Sequence, residues 1–277
     1  PFASLVSISG DVIANADRIS IGALGAISTP AGQVTLRPAT AGWAINLGSA
    51  TDAAFALELS DAELDRIFTP SLVIGGADAG AVTVSASVSP LNAADVSLQS
   101  GTDITFNAGV GVTVTGDLTL RAGDDLLLVA GSSVAAGGVF TGFVDFGNTD
   151  PGTGGTAFVD ANFAASVTFV GNIDADTLFG GLGNDSLAGA AGADTLSGRG
   201  GNDELVGGAG ADSLDGGDGV DRATYSESAT GLTADLQVAA ANTGHAAGDS
   251  YVSVEDLFGT NFDDSLRGDG AANAIAG

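Results

Sequence analysis

Over residues 1–170, apolar and polar side chains alternate in short runs. "LVSIS", "QVTLR", "AVTVSAS", "DVSLQS", "DITF", "GVTVT", "DLTL" and "DLLLV" each set alternate residues on one face. A period of two predicts half-buried β-strands, and the Gly, Asn and Asp residues between the runs predict turns. The runs also recur at a fixed step. Val82-Thr83-Val84 is followed at that step by Ile104-Thr105-Phe106 and then by Leu126-Leu127-Leu128. The same step takes Val96-Ser97-Leu98 to Leu118-Thr119-Leu120, and Val112 to Val134. Several short strands per repeat predict the coils of a parallel β-helix, whose apolar sides are buried only by stacking. One stretch departs from this pattern. "SDAELDRIFTPSLVIGG" opens with Ser60 as an N-cap and predicts a short helix stopped at Thr69-Pro70. From Ala136 to Gly171, glycine and phenylalanine are enriched around the turn signal "NTDPGTGG". The phenylalanines are expected to cover the open end of the helix.

At Gly171 the period changes to nine. The units are "GNIDADTLF", "GGLGNDSLA" from Gly180, "GAAGADTLS" from Gly189, "GRGGNDELV" from Gly198, "GGAGADSLD" from Gly207 and "GGDGVDRAT" from Gly216. Position one is always Gly, and position six is always Asp: Asp176, Asp185, Asp194, Asp203, Asp212 and Asp221. Position eight is Leu178, Leu187, Leu196, Leu205 and Leu214, then Ala223. Glycine permits tight turns and lets a carbonyl approach a cation, and aspartate offers the hard oxygen that calcium prefers. A disordered glycine-rich linker has no reason to keep Leu in phase with Asp. From Tyr225 to Phe258 the pattern lapses into alternation, "GLTADLQV" and "SYVSVEDLF". The nine-residue step then returns in "GTNFDDSLR" and "GDGAANAIA", with Asp264 and Leu266, then Asn273 and Ile275, in the matching places.

Composition narrows the chemistry. Glycine supplies 44 of 277 residues, with one Trp, two Tyr and 13 Phe, which suits tightly wound repeats. The 34 acidic residues face seven arginines, a net charge of −27 that argues against nucleic acid and anionic membranes as partners and favours cations. Without cysteine there are no disulfides, thiolate metal sites or catalytic thiols. No apolar run is long enough to cross a membrane as a helix. "PFASLVSISG" has no features of a signal peptide, so the sequence reads as a piece of a longer protein whose second nonapeptide block is cut off. Catalysis finds little support. His245 is the only histidine and sits in a polar loop, there is no GxSxG, and Asp124-Asp125 reads as a turn pair rather than a catalytic carboxylate pair.

The six nonapeptides resemble the RTX (repeats-in-toxin) calcium-binding family, whose repeat is G-G-x-G-x-D-x-U-x. That resemblance implies a parallel β-roll of two nonapeptides per coil, with calcium between units n and n+2. The implied pairs are Asp176 with Asp194, Asp185 with Asp203, Asp194 with Asp212, and Asp203 with Asp221. The implied calcium residues are these six aspartates, Gly181, Gly183, Gly192, Gly201, Gly210, Gly217 and Gly219, and Asp264 as half a site. Asp174 replaces the usual position-four glycine of the first unit. The resemblance also implies a segment that is unfolded in calcium-poor cytoplasm and folds on calcium after export through a type I secretion channel. Around residues 60–140, "ALELSDAELDRIFTPSLVIGGADAGAVTVS" resembles the β-helices of filamentous-haemagglutinin-type adhesins.

The expectation is therefore an all-β chain: a β-helix stalk over 1–170, a calcium-bound β-roll over 171–224, a β-rich insert over 225–258 and the start of a second block over 259–277. Its expected function is that of a non-enzymatic, calcium-binding structural or adhesive protein, extracellular or on a bacterial surface. Self-association into a filament and a surface receptor are its candidate interactions. The alternative is the secretion module of a secreted hydrolase whose catalytic part lies elsewhere.

Overall fold

The computed structural model describes residues 5–6, 10–49, 54–147 and 154–277. They form two compact units, Pro1–Thr141 and Gly142–Gly277. Residues 7–9 of the predicted "LVSIS" strand lie outside the described residues.

The first unit is wound from parallel strands. Val82–Val84 pairs on either side with Ala44–Leu47 and Ile104–Phe106, and Ile104–Phe106 pairs onward with Leu126–Leu128. A second column runs through Gln33–Arg37, Ile67–Gly75, Ala93–Gln99 and Leu118–Arg121. A third joins Gly111–Val114 to Ser133–Ala136. The register is the repeat step of the sequence: Val82 faces Ile104, Ile104 faces Leu126, Val96 faces Leu118, and Val112 faces Val134. Inward residues such as Ile104, Phe106, Leu126 and Leu128 are completely buried, whereas Thr105 and Leu127 between them are not. Aspartates on the turns reinforce the stack. Asp95 Oδ1 accepts from Asp117 N–H at 2.9 Å, and Asp117 Oδ1 accepts from Val139 N–H at 2.8 Å.

The helix is shorter than the sequence predicts. It covers only Asp61–Leu64, with Ser60 N–H and Oγ both donating to Glu63 Oε2. Pro70 does not stop it; it lies inside the strand Ile67–Gly75. That strand pairs with Ile27–Ser28 through Ile67 and Phe68, and with Gln33–Arg37 from Ser71 onward. Proline, which has no N–H to donate, falls where the strand changes partner and the ladder is interrupted.

Across the repeats of the second unit each coil shortens to two nonapeptides, and most strands fall in two columns. One contains Thr156–Val159, Thr177–Phe179, Thr195–Gly200, Ser213–Asp218 and Ser250–Val252. The other contains Thr168–Val170, Ser186–Ala191, Glu204–Ala209, Arg222–Thr224, Asp256–Phe258 and Ile275–Ala276. Leu178 faces Leu196, which faces Leu214, and Leu187 faces Leu205. All five are at most 1% exposed and form the core of the roll. The two alternating runs after Tyr225 behave differently from one another. "SYVSVEDLF" is two strands in different columns, divided at Ser253 in the left-handed conformation (φ 48°). "GLTADLQV" contributes Thr233–Asp235, which pairs with Ser265–Arg267. The phenylalanines do not form one covering surface. Phe163 and Phe169 are buried in the coils, while Phe158 and Phe179 stack edge to face, flanking Leu178's inward column.

Candidate metal centre

In the middle of the array the strand runs from position seven into position three of the next nonapeptide and the turn takes positions four to six, so position six sits where the turn meets the strand. Stacking of each unit on the next but one brings these aspartates into two columns. Asp176, Asp194 and Asp212 follow one another in the first, and Asp185, Asp203 and Asp221 in the second. All six are at most 3% exposed.

One oxygen of each carboxylate binds the coil before it. Asp194 Oδ1 accepts from Asp176 N–H at 2.8 Å and Asp212 Oδ1 from Asp194 N–H at 2.9 Å. Asp203 Oδ1 accepts from Asp185 N–H at 2.7 Å and Asp221 Oδ1 from Asp203 N–H at 2.8 Å. Gly155 and Val167 N–H begin the two columns on Asp176 and Asp185. The ladder explains why an aspartate is needed at every ninth residue even before a metal is considered: its Oδ1 ties one coil to the next.

The second oxygen separates the units into two groups. In Asp194, Asp203, Asp212 and Asp221, Oδ2 is buried and has no hydrogen-bond partner. A buried anionic oxygen left unsatisfied is costly. Burial, the largest influence, pushes Asp194 and Asp203 up to about 7, and raises Asp212 and Asp221 as well. Like charge on neighbouring acids adds to the rise at Asp194, Asp203 and Asp221. Each orphaned oxygen faces the first glycine of its own nonapeptide. A Cβ on Gly189 would lie 2.1 Å from Asp194 Oδ2, and one on Gly198 2.0 Å from Asp203 Oδ2 and 2.7 Å from the Gly216 carbonyl oxygen. A glycine lined by a carboxylate oxygen and a carbonyl oxygen is a cradle that a side chain would fill, and an all-oxygen donor set suits calcium. The residues therefore fit the ion, and when bound it supplies the positive charge that these buried carboxylates lack.

In Asp176, Asp185 and Asp264 the second oxygen is taken. Asn172 N–H donates to Asp176 Oδ2 at 2.8 Å, Gly181 N–H to Asp185 Oδ2 at 2.7 Å, and Thr260 N–H to Asp264 Oδ2 at 2.6 Å. Asp264 Oδ1 accepts from Leu232 N–H at 3.0 Å. Burial still raises Asp176, and raises Asp185 to about 6. The remaining predicted glycines stack turn on turn. A Cβ on Gly201, Gly210 or Gly219 would fall 2.1, 1.4 or 1.6 Å from the carbonyl oxygen of Gly183, Gly192 or Gly201. A Cβ on Gly192 would lie 2.3 Å from the Asp174 carbonyl oxygen, and one on Gly217 2.2 Å from that of Arg199.

The sequence pattern missed how the ladder ends. Asp212 N–H donates to Asp249 Oδ1 at 3.0 Å and Asp221 N–H to Glu255 Oε2 at 2.9 Å, so two residues outside any nonapeptide take the next position-six places. Asp249 is fully buried, and its Oδ2 accepts from Tyr225 Oη at 2.7 Å; Tyr225 Oη also bonds Tyr251 Oη. Neither residue keeps the nine-residue step, so only a buried acid flanked by tyrosines hints at this. His245 is half-buried in the 3-10 turn Gly244–Ala246. In the first unit Asp103, Asp124 and Asp125 bring carboxylate oxygens within 4.8 Å of one another on half-buried turns.

A family model for the RTX calcium-binding nonapeptide repeat matches residues 170–205 and 197–223, in four copies. No curated protein and no solved structure matches the chain. Among the described residues no helix is long and apolar enough to cross a membrane. The matched span coincides with the two columns of buried aspartates: the chain carries RTX calcium-binding nonapeptide repeats, and the ion such repeats bind is Ca2+.

Proposed function

We propose that this chain is a structural, adhesive segment of a secreted or surface-exposed bacterial protein, folded over its repeats by calcium. The observation that carries the reading is the set of four buried carboxylate oxygens without partners, at Asp194, Asp203, Asp212 and Asp221. They make the metal-free roll costly and the loaded roll stable, because metal binding and folding share one free energy. A calcium-poor cytoplasm then leaves the segment unfolded for export, and extracellular calcium folds it.

The repeats are a structural element rather than a catalytic one, and the role we assign to the chain is non-enzymatic. Residues 1–170 serve as the stalk, 171–224 as the roll, 225–258 as the insert and 259–277 as the opening of a second block. The adhesive part of the reading rests on the resemblance of residues 60–140 to adhesin β-helices. It also rests on an open polar groove in the first unit, lined by Gln33, Arg37, Ser97, Gln99, Thr119 and Arg121, where a surface receptor or another copy can dock. The test is far-UV circular dichroism of the whole chain in EDTA, titrated with calcium and separately with magnesium. A gain of β-signal specific to calcium supports the reading; a spectrum that calcium leaves unchanged refutes it.

A further inference from the structure

The six nonapeptides share one motif, yet their position-two residues have two backbone conformations. Ala190, Arg199, Gly208 and Gly217 are left-handed, with φ of 78°, 72°, 99° and 98°. These belong to the units of Asp194, Asp203, Asp212 and Asp221, whose Oδ2 atoms are orphaned. In the units of Asp176, Asp185 and Asp264 the position-two residues, Asn172, Gly181 and Thr260, are not left-handed, and their N–H groups close on the carboxylate. The two observations coincide in all seven units. A left-handed residue turns its N–H away from the aspartate, and the oxygen is left for a cation. That Ala190 and Arg199 accept a conformation costing about 1–2 kcal/mol for an L-residue indicates that the turn is imposed on them.

Arg199 also reaches back to the Asp185 unit. Arg199 Nη1 donates at 2.8 Å to the carbonyl oxygen of Gly180, the position-one glycine of that unit, and at 2.8 Å to that of Val159. Its guanidinium lies 5.0 Å from the ring centroids of both Phe158 and Phe179. At the other end Tyr225 Oη closes Asp249.

We propose that the calcium array is confined to Asp194, Asp203, Asp212 and Asp221, and that the protein's own donors stand in for the ion at Asp176, Asp185 and Asp264. This rests on the reading of the repeats as calcium sites and says which of them are used. The backbone at position two, which the G-G-x-G-x-D motif does not distinguish, selects the metal-binding units.

The test is calorimetric titration of the whole chain with calcium alone, comparing D194N, D203N, D212N and D221N with D176N, D185N and D264N. Circular dichroism at saturating calcium checks that each variant folds. Each of the first four should lose at least about tenfold in affinity at one site, since even outer-shell partners of a metal are worth that much. The other three should bind as the parent does. Equal losses in D185N and D203N overturn the proposal while leaving calcium binding by the repeats intact; a parent that binds no calcium overturns both. If a variant of the second set does not fold, anomalous scattering from calcium in crystals of the parent decides. Ions beside the four orphaned carboxylates alone support the assignment, and an ion at Asp176, Asp185 or Asp264 refutes it.

Discussion

Asp203 divides its work between two oxygens. Oδ1 binds the coil before it, and Oδ2 faces Gly198 in a cradle with no room for a Cβ. Gly198→Ala should therefore weaken calcium binding and lower the melting temperature together, because the methyl would lie 2.0 Å from that oxygen. A variant with the parent's calcium isotherm would show that the cradle is not the binding place. Leu205, completely buried, tests the other half of the repeat. Leu205→Ala should cost about 2–5 kcal/mol in denaturant unfolding at saturating calcium. The core is one leucine deep, so little neighbouring structure can collapse into the space. Tyr225→Phe removes the hydroxyl that satisfies Asp249 Oδ2. Leaving that carboxylate unmatched should cost about 1–3 kcal/mol in the same measurement.

The two column types differ in how they depend on conditions. The first unit's turn aspartates are exposed or half-exposed, and their ladder tolerates water. The roll's ladder is buried, and burial raises Asp185 to about 6 and Asp194 and Asp203 to about 7 without metal. A group raised in the folded state stabilises it fully below the ordinary carboxylate range, and that contribution is lost as pH rises through about 6 to 7. In EDTA the repeats should therefore show more residual β-signal in circular dichroism at pH 5 than at pH 8. With calcium the trend reverses, because protons compete for the same oxygens and affinity falls with acidity. Parallel pH profiles with and without calcium would contradict the assignment of these carboxylates as ligands.

For the molecule as a whole, a charge of −27 spread over 277 residues is a folding cost that cations relieve. The relief is local to the second unit. Hydrogen exchange on the whole chain should show protection of residues 171–258 collapsing in EDTA, while the strands of residues 33–128 keep theirs. Simultaneous loss in both units would mean that calcium also holds the first, with Asp103, Asp124 and Asp125 the place to look.

Much of this was legible in the chain itself. The longer and the shorter repeat steps are the strand registers, since a solenoid stacks each coil on the one before and the offset in sequence becomes the offset in space. In the first block the leucines at position eight and the aspartates at position six are buried where their phase puts them. The match to the RTX repeat rests on that phase, which needs no tertiary information. What the sequence could not supply is whatever depends on non-local packing. Pro70 lies inside a strand because that strand changes partners there. Asp249 and Glu255 join the ladder because residues 226–248 leave the coil and return in register, across separations of 37 and 34 residues. Which carboxylates keep an oxygen free was also decided in three dimensions. It goes with the handedness of one backbone residue, which leaves no mark in a repeat that reads glycine and aspartate alike in every unit.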